Sequence, residues 1–170
     1  ESLDGGYTWS DEYIMLPNEG FYNIMNCSLL RMENGDLGLF YMVKEEGDIA
    51  NLYLRRSDDD GATWGPRLLI TTAPQGYTIQ SSGNRLLRLS TGRILLPVSW
   101  SERVNDVYGG VHTYAMIWYS DDDGYTWHRA PGRVNLPNGT LEPTLAEMPS
   151  GEIFMSLRTR DSNSMYKAIS

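Results

Sequence analysis

One eight-residue pattern occurs three times in this 170-residue chain. Each copy reads Ser-x-Asp-x-Gly-x-Thr-Trp, and five fixed positions matched three times do not arise by chance in so short a sequence. Repeats at intervals of this size are typical of propellers and other architectures built from one recurring unit. The three copies, called Asp boxes 1, 2 and 3 below, are Ser2–Trp9, Ser57–Trp64 and Ser120–Trp127.

Each Asp box has the chemistry of a hairpin turn. The Asp carboxylate can accept hydrogen bonds from backbone N–H groups two residues on, and the Gly can take a positive φ. Thr and Trp then begin the next strand, and the Trp can cover the turn. We therefore predict structural roles for Asp4, Asp59 and Asp122. Clustered Asp residues can also bind calcium, but the spacing and terminal Glu of an EF-hand loop are absent.

A second repeat lies between the boxes. When Gly35, Gly92 and Gly151 are aligned, each has an apolar run on either side, which predicts a strand, a tight turn and a strand. A third strand leads into each box, and a fourth follows each complete box. No helical periodicity competes with this pattern. The aligned segments begin at Asn26, Gly83 and Glu142.

These repeats predict an all-β chain that forms part of a β-propeller with four-stranded antiparallel blades. We expect complete blades at residues 21–75 and 76–135. Residues 1–20 are expected to supply the outer strand of a broken blade, and residues 136–170 three strands of a further blade. Such a partial propeller leaves strand edges unpaired, so we expect self-association through those edges.

The bulk composition excludes several classes of partner. The net charge is −8, with acids concentrated in boxes 2 and 3, which argues against nucleic acid and anionic membranes. No apolar run approaches the roughly 20 residues needed to span a bilayer, so membrane insertion is not expected. An anionic small molecule stays possible, because a few clustered arginines can form a basic pocket in an acidic protein.

The sequence predicts no metal, cofactor or disulfide. Cys27 is the only cysteine, and its apolar neighbours predict a small buried residue. His112 and His128 have no partner at metal-ligand spacing, and no Gly-rich phosphate loop is present. No signal-peptide pattern opens the chain, but a processed chain would look the same, so the compartment stays unknown.

Strand direction sorts the candidate site residues. Antiparallel strands alternate in direction, so the glycine turns and the Asp boxes fall at one rim of the blades. Residues that begin a first strand or end a second strand fall at the opposite rim, where side chains from different blades can converge around a central channel. This opposite rim is predicted to carry Asn26, Asn84, Arg85, Glu142 and Arg158.

The segment Leu141–Thr159 resembles the part of sialidases that pairs a catalytic Glu with an Arg one hairpin later. The resemblance covers essentially the whole chain and implies a six-bladed propeller. It further implies an exo-acting glycoside hydrolase that removes terminal sialic acid or a related acidic sugar from glycoconjugates, in a secreted or periplasmic protein. Segments that also resemble bacterial sialidase-like proteins of the BNR type are Tyr77–Gln80, Asn84–Leu89 and Gly92–Pro97.

Carried over by this resemblance, Glu142 is the base that activates a tyrosine nucleophile, and Arg158 is one of three arginines that bind the substrate carboxylate. These residue types suit the chemistry, because an Arg fork binds a carboxylate bidentately and a phenol needs a base to attack near neutral pH. A carboxylate nucleophile would be repelled by the substrate's own carboxylate, and sialidases use Tyr instead. Arg85, Asn84 and Asn26 are further substrate-binding candidates.

The chain also departs from the family pattern. The family's general-acid Asp and first triad Arg normally lie near or before the first box, and its Tyr nucleophile and last triad Arg lie far downstream. We assign no residue to these roles and expect the chain alone to be inactive. Asn26 stands where sialidases often carry an Asp that contacts the N-acyl side of the substrate.

Two other functions stay open. Asp boxes also occur in propellers without enzymatic activity, so the chain can belong to a propeller that binds glycan or protein. It can also belong to a different glycosidase on the same fold, with Glu142 as an ordinary acid or base. In the structural alternative, Glu142 merely contacts solvent at a strand start and Arg158 forms an ordinary salt bridge.

Overall fold

The computed structural model describes residues 1–45, 49–72, 77–80, 85–102, 112–159 and 164–170. Within these ranges all regular secondary structure is β, as predicted, and no helix is present. The strands are β1 (Asn23–Arg31), β2 (Leu37–Lys44), β3 (Ala50–Ser57), β4 (Leu68–Thr72), β5 (Tyr77–Gln80), β6 (Leu87–Arg88), β7 (Ile94–Glu102), β8 (His112–Ser120), β9 (His128–Val134), β10 (Leu141–Glu147), β11 (Ile153–Arg158) and β12 (Met165–Ile169).

The strands form three antiparallel sheets in chain order. The first sheet has the order β1-β2-β3-β4, and the second has the order β5-β7-β8-β9, with β6 also paired to β7. The third has the order β10-β11-β12. Each sheet is a meander of consecutive strands, which is the construction of a propeller blade.

Residues 1–20 form turns and bends where the sequence predicts an outer strand. A strand needs hydrogen bonds to a neighbour, and none of the ladders among the described residues includes this segment. Residues 3–15 are exposed, and only the end of the segment contacts the outer face of the first sheet. Leu16 joins an apolar cluster there, and the Glu19 carboxylate pairs with Arg55 and accepts a 2.7 Å hydrogen bond from the Tyr41 hydroxyl.

The Asp boxes close through bonds that reach further along the chain than the sequence predicts. Asp59 accepts hydrogen bonds from the Thr63 amide at 2.8 Å and the Thr63 hydroxyl at 2.7 Å, four residues on rather than two. The cause lies in the backbone, since Asp60 and Gly61 have φ values of 58° and 93° and turn the chain back so that the Thr63 amide faces the carboxylate. Boxes 1 and 3 repeat these bonds with Asp4–Thr8 and Asp122–Thr126.

Two apolar layers lie between the sheets. One fills the space between the first and second sheets, and another lies between the second and third. The sheets therefore stack face to face as successive blades. The buried members of the first layer are Met32, Phe40, Met42, Ala50, Leu52, Leu54, Ile70, Ile94, Leu96, Val98, Trp100 and Met116; those of the second are Ala115, Met155 and Leu157.

Ionic hydrogen bonds join the sheets at the rim that carries the glycine turns and boxes 2 and 3. Asp123 of box 3 accepts the Glu33 amide of the first sheet at 3.1 Å and pairs with Arg88 at 2.7 Å. Glu147 of the third sheet accepts both the amide and the hydroxyl of Ser90 at 2.7 Å. The rim that carries these bonds is called the box rim below.

Candidate functional site

Glu142 and Arg158 meet at the end of the third sheet that lies opposite its glycine turn. Leu141 pairs with Arg158 where β10 begins and β11 ends, while Glu147 pairs with Ile153 beside the turn. The Arg158 Nε donates to Glu142 Oε2 and the Arg158 Nη2 to Glu142 Oε1, both at 2.7 Å. This is the two-bond fork geometry that makes Arg–carboxylate pairs strong and directional.

The backbone of Glu142 is left-handed. Its φ is 52°, and the β10–β11 register shifts between Leu141 and Thr144, which marks a β-bulge. Left-handed backbone costs an ordinary L-residue about 1–2 kcal/mol, whereas Gly and Asn adopt it readily. The equivalent position of the first sheet is Asn26, with φ 57° in a similar bulge. Glu142 thus occupies a conformation that its residue type disfavours.

Side chains of the second sheet bind the main chain of Glu142. The Glu142 amide donates to the Ser99 hydroxyl at 3.1 Å, and the Arg85 guanidinium donates to the Glu142 carbonyl. The Arg85 amide in turn donates to the Ser28 hydroxyl of the first sheet at 3.1 Å. All three sheets therefore contribute to the placement of one carboxylate.

Charge keeps this carboxylate ionised. The hydrogen bonds from Arg158 lower the pKa of Glu142 below its ordinary value, partial burial opposes them, and the positive charges of Arg158 and Arg85 add to the lowering. Glu142 raises the pKa of Arg158 in return. Their side chains are 42% and 43% exposed, so a ligand can reach both. The pair offers an anionic proton acceptor beside a guanidinium that can bind an acid.

The model for the BNR repeat-like domain matches residues 1–170. The chain belongs to this family. A curated relative, the sialidase of Bacteroides fragilis strain YCH46, is 28% identical over 124 residues, which are 71% of this chain and 21% of that protein. The solved Trypanosoma rangeli sialidase, in complex with the inhibitor DANA, superposes with a TM-score of 0.72 at 20% identity, over 99% of this chain and 30% of that one.

Other glycoside hydrolases share the fold of this BNR chain. The solved endo-arabinase of Bacteroides thetaiotaomicron has a TM-score of 0.58 at 16% identity, over 87% of this chain and 55% of that one. These likenesses confirm the predicted propeller fold. The chain spans between a fifth and about half the length of these three relatives. Two of them are named sialidases and the third an endo-arabinase, so their names give different substrate classes.

Asn26 lies in β1 of the first sheet, whereas Glu142 lies in β10 of the third sheet of the BNR fold. Asn26 borders a cavity of about 230 Å³ whose walls are mainly apolar. Its neighbour Cys27 is exposed, so the prediction that Cys27 is buried is wrong. Cys27 and Leu29 flank the buried Ser28 on β1 and are both exposed, so the alternation of the strand places Cys27 on its exposed face. Asn84 lies outside the described residues.

Sequence reasoning missed two features of the site. Ser99 is a buried strand residue with nothing in its sequence context to mark it, because its contact with Glu142 joins different blades. The left-handed backbone at Glu142 did leave a signal, since the aligned positions of the other two units are Asn26 and Gly83. Both residue types favour that conformation.

Among the residues that the structure describes, no group of three or more His, Cys, Asp or Glu side chains is arranged to hold a metal ion. The described ranges also contain no helix with the length and apolar character of a membrane span.

Proposed function

We propose that the protein containing this chain is an exo-acting glycoside hydrolase of sialidase type, acting on terminal sialic acid or a related acidic sugar. Glu142 is the base in this proposal, and Arg158 is one ligand of the substrate carboxylate. One observation carries the proposal. Glu142 is held in a disfavoured backbone conformation, forked with Arg158, at the rim that is not occupied by the Asp boxes.

In the proposed reaction, Glu142 accepts the proton of a tyrosine hydroxyl as the phenol oxygen bonds to the anomeric carbon. The bond to the leaving-group oxygen breaks, and a general acid protonates that oxygen. Water then hydrolyses the glycosyl–enzyme bond. The tyrosine and the acid are not assigned in this chain. Because the pKa of Glu142 is lowered, the carboxylate is in its accepting form at neutral pH.

The ion pair with Arg158 makes the basicity of Glu142 depend on whether substrate is bound. Arg158 donates to both Glu142 oxygens before substrate is present. When a substrate carboxylate binds Arg158, the guanidinium is shared between two acids, and the new negative charge acts on Glu142. Both effects raise the basicity of Glu142. Substrate binding therefore strengthens the base at the moment when the phenol has to lose its proton.

The substrate is tested with the full-length protein against a panel of chromogenic α-sialosides and α-L-arabinosides. We expect turnover of the sialosides, because Arg158 matches a carboxylate that arabinosides lack. Turnover of arabinosides alone would indicate a different glycosidase on this fold. Binding of sialylated glycan without turnover would indicate a propeller without enzymatic activity.

The role of Glu142 is tested by Glu142→Gln, which keeps the shape and removes the base. General-base catalysis typically contributes 10²- to 10⁴-fold, so we expect kcat to fall by about that factor with a smaller change in KM. The matched control is Glu147→Gln, on the same strand but bonded to Ser90 at the box rim. If the two variants lose the same activity, Glu142 is not the base.

A further inference from the structure

The main chain of Glu142 has both of its polar groups bound by side chains of another blade. Ser99 accepts its N–H at 3.1 Å, and Arg85 donates to its C=O. Ser99 is only 1% exposed, so its hydroxyl is fixed by the packing of β7. These two contacts come from β7 and from the residues just before β6, and together they define the orientation of one peptide segment.

The fixed orientation matters because the left-handed backbone of Glu142 is strained. Without support from its neighbours, this backbone would relax to an ordinary conformation. A non-glycine residue stays left-handed only where its surroundings over-determine it. If the backbone returned to ordinary extended geometry, the side chain would turn to the other face of the strand, because side chains alternate with the pleat. The carboxylate would then leave Arg158. At Asn26 the residue type itself tolerates the conformation, so the equivalent bulge needs less support.

Arg85 is well placed to provide this support. Its own amide is bound to the Ser28 hydroxyl at 3.1 Å, so its main chain is anchored in turn to the first sheet. Its guanidinium carries a positive charge that also acts on the Glu142 carboxylate. The sequence suggested Arg85 as a substrate ligand, but its contact in the structure is with the Glu142 main chain.

We propose that Arg85 and Ser99 are positioning residues, which hold Glu142 in its left-handed conformation so that the carboxylate stays forked with Arg158. The kinetic part of this proposal rests on the proposed function of Glu142 as the base. Arg85 then affects catalysis through Glu142, and its loss misplaces the base without removing a bond to the substrate.

The kinetic test uses Arg85→Gln, Arg85→Lys and Ser99→Ala in the full-length protein. Misplacement of a catalytic group by about 1 Å can cost 100-fold, so we expect kcat to fall about 10- to 100-fold in Arg85→Gln with little change in KM. Its acidic limb of kcat/KM moves to higher pH, because a positive charge near Glu142 is lost. Arg85→Lys restores part of kcat, and Ser99→Ala lowers kcat in the same direction.

The matched control is Arg88→Gln, three residues along the chain. Arg88 pairs with Asp123 at the box rim, so this change lowers the melting temperature and leaves kcat and the pH profile unchanged. A raised KM with normal kcat in Arg85→Gln would make Arg85 a substrate ligand and overturn the proposal. Kinetics of Arg85→Gln that match those of Arg88→Gln would also overturn it.

A structural readout separates this inference from the proposed function. In a crystal structure of ligand-free Arg85→Gln, we expect Glu142 to leave the left-handed region and its fork with Arg158 to open. That result supports positioning even if the wild-type protein hydrolyses none of the panel, in which case the proposed function alone fails. An unchanged Glu142 backbone and an unchanged fork would overturn positioning even in an active sialidase.

Discussion

Two ion pairs of this chain have nearly the same geometry at opposite rims. Arg158 and Glu142 form two bonds of 2.7 Å with side chains 43% and 42% exposed. Arg93 and Asp121 form bonds of 2.6 and 2.9 Å with side chains 45% and 54% exposed. Neither the bond lengths nor the exposure distinguishes a site from an ordinary surface contact.

The surroundings of the two pairs differ. Arg93 stacks on the Tyr119 ring at 4.5 Å, and Asp121 lies beside Asp122, whose carboxylate is bonded within the box to Ser120 and Thr126. Glu142 has a strained backbone, and side chains from a second blade bind its main chain. The comparison teaches that Glu142 is distinguished by a left-handed backbone that its residue type disfavours, whereas an exposed salt bridge alone distinguishes neither pair.

The largest difference is expected when each arginine is removed. Arg158→Ala in the full-length protein should raise KM roughly 10- to 150-fold, because in the proposed function it removes hydrogen bonds to a substrate carboxylate that are already made in the ground state. Arg93→Ala should leave KM and kcat unchanged. Steady-state kinetics on a sialoside measures both. If Arg158→Ala and Arg93→Ala changed KM equally, the two ion pairs would not differ in their role in substrate binding.

The next largest effect is expected on the stability of the fold when an Asp of the box rim is removed. Asp122→Ala removes the acceptor of the Thr126 amide, the Thr126 hydroxyl and the Ser120 hydroxyl, and we expect a loss of about 1–2 kcal/mol of unfolding free energy. Kinetics below the melting transition should be normal. The control Asp58→Ala changes an exposed variable position of box 2 and should shift stability by less than about 0.5 kcal/mol. A loss of kcat without a loss of stability in Asp122→Ala would contradict a structural role.

Acid should weaken the box rim in a defined window. Hydrogen bonds from Ser57 and then Thr63 lower the pKa of Asp59 from 3.8 to about 2. The unfolded chain therefore takes up this proton first, so the stability from Asp59 is complete above its ordinary pKa and is lost as pH falls from 3.8 to about 2. The melting temperature of wild type should fall more steeply across this window than that of Asp59→Asn. Parallel curves would contradict the assignment.

Local and long-range features differ in how far the sequence could predict them. The boxes, the glycine turns and the strand order follow from short motifs, and strand alternation predicts that Glu142 and Arg158 share an end of the third sheet. The contacts of Arg85 and Ser99 join blades through positions that no motif relates. Residues 1–20 form no strand because pairing depends on a neighbour, which a local pattern does not reveal.

The most direct test exchanges each acid of the two pairs for asparagine. Glu142→Asn relieves about 1 kcal/mol or more of strain and loses an exposed ion pair of about 0.2–1 kcal/mol. We predict an unfolding free energy that is unchanged or raised by up to about 1 kcal/mol, measured by denaturant unfolding, together with a kcat lowered at least 100-fold. Asp121→Asn should lower stability slightly and leave kcat intact. A Glu142→Asn protein that is as destabilised as Asp121→Asn, or that keeps its kcat, would contradict the claim that strain at Glu142 is retained for chemistry.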